Sequence, residues 1–359
     1  MEQWAPAWAA WERDNVGIQI GRVRQRVKRI LVTLDVTAKV VDEADRGSFD
    51  LIVSHHPLLF HQPKRITDQD VTGRLVLSLA QRNIAVFSMH TNLDAAKGGV
   101  SFALAETLGL VDVQFLSPLA DSLVKLAVFV PEAHASRVRN ALTHAGAGVI
   151  GDYSSCSFES TGTGTFQGSG STSPFVGTPG HVETTNEIRL EMICPKALVA
   201  KAVEEMKKVH PCEEVAYDIY PLANPNPNFG MGAIGTLRRS TTLKQFINHT
   251  KRSLHAAGVR YAGSLQRTIN RVAVCGGSGS DLFAEAERKG ADVFVSADVR
   301  YHTFQLAEHG TALIDAGHYE TEQVILPHIV KRLKQTAKNY GESLTIKTTV
   351  HHTNPIHWA

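Results

Sequence analysis

Eight polar residues stand in four short clusters, each just after an apolar run: His55 and His56, His90 and Asp94, Asp298 and His302, His318 and Glu322. Imidazole mixed with carboxylate suits zinc, iron, manganese or nickel, whereas carboxylates alone would suit magnesium or calcium. His318 and Glu322 are four apart at the start of a helical stretch, which puts both side chains on one face. His55, His56, Asp94, His318 and Glu322 offer more donors than one tetrahedral ion needs, and a carboxylate such as Glu322 can bridge two ions about 3.5–4 Å apart. Such a pair activates a water for hydrolysis.

Taken singly, each cluster has an ordinary reading. Adjacent histidines are often surface residues, His-x-x-x-Glu is often a solvated helical pair, and His90 or Asp94 alone is often a turn or cap residue. Convergence is what separates the readings. On a strict strand His55 and His56 would point to opposite sides, but past its end each imidazole can serve a different metal.

The elements that must position these residues read as follows. Strands fall at 29–36, 50–54 and 84–89, with Thr37 capping a helix to Asp45 and helical patterns at 71–82 and from Gly98-Gly99 to Leu108. Residues 110–119 read as an exit linker. From about Leu123 the order becomes strand (125–130), helix (133–145), extended stretch (149–157), strand (187–194), helix (196–209), strand (215–220), the order of a ferredoxin-like split βαβ unit. Within it, residues 160–180 are rich in Gly, Ser and Thr and read as a flexible loop.

Asn224-Pro-Asn-Pro-Asn228 is a return linker. Strand and helix alternation then resumes: a helix at 242–257, strands at 271–275, 291–296 and 311–315, a helix at 281–289, a long helix from Gly317, and a last strand at 343–350. The fold class expected is α/β: a two-part core with mainly parallel sheets (1–120 and 229–359) interrupted by an inserted ferredoxin-like α+β domain (121–228). Ligands of such sheets collect beyond the carboxyl ends of the strands, which is where all four clusters fall.

Between a strand and a helix lies Gly276-Gly277-Ser278-Gly279-Ser280, whose backbone N–H groups suit an anion and would imply a phosphorylated substrate; a tight packing turn explains it as well. It has neither a Walker lysine nor dinucleotide-loop spacing. Net charge is +2 over 359 residues, with no basic stripe for nucleic acid and no apolar run of membrane-spanning length. Four cysteines, widely spaced and without Cys-x-x-Cys, read as reduced thiols in a cytoplasm. Seventeen histidines exceed what packing asks for.

The stretches Asp14-Asn-Val-Gly-Ile-Gln-Ile-Gly21, Ser54-His-His-Pro57, His90-Thr-Asn-Leu-Asp94, Cys275-Gly-Gly-Ser-Gly279, Ala297-Asp-Val-Arg-Tyr-His302 and Gly317-His-Tyr-Glu-Thr-Glu322 resemble the dinuclear-metal-centre family, Nif3-like proteins commonly labelled GTP cyclohydrolase I type 2 homologues. The segment His210-Pro-Cys-Glu-Glu-Val-Ala-Tyr-Asp218 is similar to the one closing that family's inserted domain, itself similar to PII-type and cation-tolerance trimer domains. Ala297 stands where the family has Gly, and Cys212 where it has an aromatic residue.

The resemblance implies two divalent ions per chain held by His55, His56, Asp94, His318 and Glu322, inside a toroidal homohexamer. His90, Asp298 and His302 would line its cavity, with His90 or His302 relaying a proton. The activity expected is metal-dependent hydrolysis of a nucleotide or related phosphorylated heterocycle, with GTP ring opening as the named case. Phosphoester hydrolysis and a non-catalytic metal-binding or regulatory role are the alternatives.

Overall fold

The computed structural model describes residues 1–358 and contains two compact units, one made of Met1–Ser117 with the chain from Phe229 onward, the other of Pro118–Asn228. In chain order the strands are β1 (Gly17–Ile20), β2 (Arg29–Thr33), β3 (Leu51–Ser54), β4 (Ala85–Ser88), β5 (Leu110–Pro118), β6 (Leu123–Pro131), β7 (Ser157–Gln167), β8 (Val182–Pro195), β9 (Tyr217–Leu222), β10 (Gly230–Thr242), β11 (Arg260–Ala262), β12 (Thr268–Ser278), β13 (Val293–Ala297), β14 (Ala312–Asp315) and β15 (Thr345–Thr348).

The first unit holds two sheets. One has the order β1-β4-β3-β2-β15, with β4, β3, β2 and β15 parallel and β1 antiparallel at the edge. The other has the order β11-β14-β13-β12-β10-β5, with β12, β13 and β14 parallel, β11 antiparallel to β14 and β10 antiparallel to β12. Every residue of β13 and β14 is buried, as a strand covered on both faces requires, so each reads as an apolar run up to Ser296 or Asp315 instead of an alternating one. The helix Val100–Thr107 serves two cores: Val100 and Ala103 pack in the cluster with Val32, Val53 and Met89, and Leu104 and Ala105 in the cluster with Val272, Val274 and Ile314.

Local chemistry accounts for the helix starts. Thr37 accepts from the Val40 N–H, Asp70 from the Gly73 N–H at 2.7 Å, and Thr242 with Gln245 forms a capping box. The long helix expected from Gly317 is in fact broken into His318–Glu322, a 3-10 turn Gln323–Ile325 and Leu326–Asn339. Pro327, at the head of the last piece, has no N–H to give to an earlier turn, so it starts a helix more readily than it continues one.

Register explains why the strand ends meet. Thr33 pairs with Ser54, and Ser54 with Ser88, so these residues form one row and the Ser54 and Ser88 hydroxyls bond at 2.8 Å. The chain just past that row carries Asp35, His55, His56 and His90. In the second sheet Ser296 pairs with Asp315 and Ser278 with Ala297, which brings Gly277, Asp298 and His318 to a common end.

The second unit is a four-stranded antiparallel sheet, β7-β8-β6-β9, with helices Ala135–Ala145 and Val199–Val209. That strand order with a helix after its first and third strands is the ferredoxin-like arrangement. Val128, Val138, Leu142, Leu190 and Met206 are fully buried in its core.

Three expectations are corrected. Residues 110–119 are no linker: β5 is an edge strand of the second sheet, its pattern interrupted by a left-handed Asp112 at φ 53°. Residues 230–242, between the return linker and the next helix, form the antiparallel strand β10 where the sequence predicts no strand. Residues 160–167 of the Gly/Ser/Thr-rich stretch belong to β7, paired with β8 from Ser157↔Met192 to Gln167↔Val182. Backbone hydrogen bonds hold this almost wholly exposed edge strand, which needs no large apolar side chain.

Candidate metal centre

Both sheets of the first unit deliver residues to one place. His55 leaves the end of β3 fully buried; its Nδ1 bonds to the Met89 carbonyl oxygen at 2.7 Å. A carbonyl only accepts, so that nitrogen carries the proton and Nε2 presents a lone pair. His56 Nδ1 is likewise 2.7 Å from Asp35 Oδ1, His90 Nδ1 is 2.9 Å from Asp14 Oδ1, and His318 Nδ1 is 2.6 Å from Asp298 Oδ2. Four imidazoles are thus oriented through Nδ1, three by carboxylates, as metal-binding histidines are.

The Nε2 atoms and two carboxylates converge. His55 Nε2 lies 3.7 Å from both Asp94 Oδ1 and Glu322 Oε1. Glu322 Oε2 lies 2.9 Å from His56 Nε2 and 3.2 Å from His318 Nε2. His55 Nε2, Asp94 Oδ1 and Glu322 Oε2 are nevertheless all buried without a hydrogen-bond partner. Leaving three such atoms unsatisfied is costly, and a shared cation removes the cost at once. Two overlapping donor groups fit an ion: His55 with His56 and His90, and His56 with His318 and Glu322.

The electrostatics agree with the geometry. Burial favours the neutral form of Glu322, yet the imidazoles of His55, His318 and His56 hold it well below the usual carboxylate range. Burial raises Asp94 to about 6 against the pull of His55, with the Glu322 charge adding to the rise. Burial also opposes charge on Asp14, but bonds from His90 and Thr91 bring it down to about 2, an ionised anchor for the His90 ring.

The structure brings His55, His56, His90, Asp94, His318 and Glu322 together, with Asp298 behind His318. Asp298 is in the left-handed region at φ 51°, a conformation Asp tolerates better than most residues. His302 does not join them through any contact of its ring, which bonds Gln305 at 3.1 Å and packs on Tyr301.

Of the two readings of the Gly276–Gly279 loop, the tight packing turn is the one its hydrogen bonds match. Gly276 N–H donates to Ser101, Gly277 N–H to Thr321 at 3.0 Å and Gly279 N–H to Ser296 at 3.0 Å, so these donors are taken. Gly277 has φ +61°, and a Cβ there would stand 2.2 Å from Glu322 Oε1 and 3.3 Å from His318 Nε2. The glycine lets the backbone pass beside the carboxylate.

Asp35 and Asp14 are the participants that sequence reasoning missed. Asp35 also accepts from Thr353 Oγ1 at 2.6 Å, tying the carboxyl-terminal segment to the back of His56. The sequence signals Asp35 only through the need of a ligating histidine for an acceptor at its other nitrogen, and Asp14 also through its place at the head of the Asp14–Gly21 stretch.

Known proteins share this chain's length and architecture. Residues 1–355 match the family described as Duf34/NIF3 (NGG1p interacting factor 3). The chain is 41% identical over 359 residues to a Bacillus subtilis protein named GTP cyclohydrolase 1 type 2 homolog, covering 99% of this chain and 95% of the relative. A Halalkalibacterium halodurans protein of the same name is 40% identical over 357 residues, 99% and 96% of the two chains. The solved structure of a Bacillus cereus protein related to NIF3 matches with a TM-score of 0.83 at 40% identity, covering 100% of this chain and 96% of that one. With sequence and fold agreeing along nearly its whole length, the chain belongs to the Duf34/NIF3 family.

Proposed function

We propose that the chain is a metal-dependent hydrolase holding two divalent ions, acting on a nucleotide or related phosphorylated heterocycle in the manner its relatives' name suggests, GTP ring opening being the first substrate to test. One observation carries the reading: His55 Nε2, Asp94 Oδ1 and Glu322 Oε2 lie buried close together without a hydrogen-bond partner. Divalent ions there would supply Lewis acidity and a lowered water pKa.

The chain's own residues do the rest. Asp35, Asp298 and the Met89 carbonyl orient the rings of His56, His318 and His55 before anything binds. Burial of Glu322 and His55 keeps bulk water from competing for them. In this reading His90, its Nδ1 on Asp14, stays outside the ligand set, so that its Nε2 would take a proton from an attacking water and return it to the leaving group. The same reading has six chains assemble, and the exposed Tyr301 and Leu306 are apolar surface that an assembly would cover.

The test is elemental analysis of chelator-free protein, followed by a turnover screen with GTP and phosphoesters on metal-loaded chain. About two ions per chain, lost in Glu322→Gln, with turnover of GTP, supports the proposal. Turnover of phosphoesters alone would make it a phosphoesterase, and bound metal without turnover a non-catalytic metal-binding protein. Absence of metal after reconstitution overturns it.

A further inference from the structure

We propose that the second unit has a binding pocket of its own, for a small organic cation with an aromatic body, held among the rings of Phe129, Phe166 and Phe175 and the carboxylates of Glu187, Glu213 and Glu214. These residues line a cavity of about 330 Å³, within the size range of small-molecule sites.

The pocket is built largely by the Gly/Ser/Thr-rich stretch. After β7 the chain folds back: Gly180 N–H donates to the Gly168 carbonyl and Gln167 Nε2 to the Gly180 carbonyl, both at 2.8 Å. Ser173 N–H donates to Glu213 at 2.9 Å, and the Phe175 ring packs edge-on against His134. A segment this polar has no core of its own, yet it places Phe166 and Phe175 in the cavity wall, where both stay exposed. Apolar rings gathered around a hollow are what an apolar ligand body covers.

The charge is one-sided. No Lys or Arg lines the cavity; Arg189, whose guanidinium lies 6.0 Å from the Phe129 ring centroid, is paired with Glu191. His210 donates Nε2–H to the Phe129 carbonyl at 3.1 Å and accepts from Cys212 N–H at Nδ1, so it stands as a neutral ring; burial lowers its pKa accordingly. Among the described residues Glu187 has no ion pair and no side-chain hydrogen bond, and burial raises its pKa. Gly164 leaves it room: a Cβ there would sit 2.5 Å from Glu187 Oε2. An ammonium group would satisfy Glu187 and lie near aromatic faces, whereas an anion would meet three carboxylates.

The full chain is titrated calorimetrically with phenethylamine, with neutral 2-phenylethanol and with phenylacetate, and with the amine again on Glu187→Gln. The amine is expected to bind at least about tenfold tighter than the alcohol, phenylacetate not at all, and Glu187→Gln to remove the amine's advantage. Phe166→Ala should weaken amine and alcohol alike. Should Glu187→Gln fail to fold, Glu214→Gln on the exposed loop gives the same readout. Equal affinity for amine and alcohol, an unaltered amine affinity in the glutamine variant, or no amine binding at about 10 mM overturns the proposal.

Discussion

His56 Nε2 and Glu322 Oε2 stand 2.9 Å apart, yet the oxygen has no hydrogen-bond partner. With the other ring nitrogen committed to Asp35, neutral His56 has only a lone pair to turn toward the carboxylate. A cation has to lie between such groups, a proton in the metal-free chain and a metal ion in the loaded one.

Asp35→Asn should therefore weaken metal binding without deleting a ligand. The amide can still bond the ring, but it no longer makes Nε2 the better donor; a loss of about 10–100-fold in affinity is expected. Competition with a chromophoric chelator measures it. Unchanged affinity would mean that Asp35 does not tune His56.

Gly277→Ala should displace Glu322. The new Cβ would meet Oε1 at 2.2 Å, on a residue whose φ of +61° already disfavours a side chain. The backbone term alone is about 1–2 kcal/mol. Metal content should fall while the circular dichroism spectrum stays that of folded protein; full occupancy would show that the carboxylate relocates freely.

Proton linkage has a definite sign. In the metal-free chain burial lowers the His56 pKa, but Asp35 and Glu322 outweigh it and raise it to about 10; for His318, Glu322 and Asp298 outweigh burial and raise it to about 9. A raised pKa stabilises fully below the ordinary imidazole value of 6.5, and the contribution is lost as pH climbs through the folded values. The metal-free melting temperature should thus decline from about pH 7 to pH 10, and the loaded protein should show a flatter profile. Metal uptake near neutral pH should release roughly one to two protons, seen as a buffer-dependent calorimetric heat. A heat independent of buffer would contradict this.

Leu104→Ala separates stability from chemistry. Leu104 is fully buried in the core of the second sheet and belongs to neither donor group. A loss of about 2–5 kcal/mol is expected in urea unfolding, with metal per folded chain unchanged.

Much of this was legible in the sequence, for identifiable reasons. The apolar runs before His55, His90 and His318 mark buried strands, and buried strands end at the ligand edge. Which sheet a strand joins is not written in its periodicity, so the division into two sheets and the pairing of β15 with β2 had to be seen. Asp35 and Asp14 look like any carboxylate until the fold sets them behind an imidazole. The strand β7 escaped notice because backbone pairing, not side-chain burial, makes it.

The parallel pairing of β15 with β2 has a consequence for how the chain matures. His55 and His56 are made long before Glu322, and β2 waits for a flanking strand that lies beyond Glu322 in the chain. Neither the ligand set nor the first sheet can be completed until the intervening second unit has been made. Contacts this distant in sequence also make completion of that sheet a slow step.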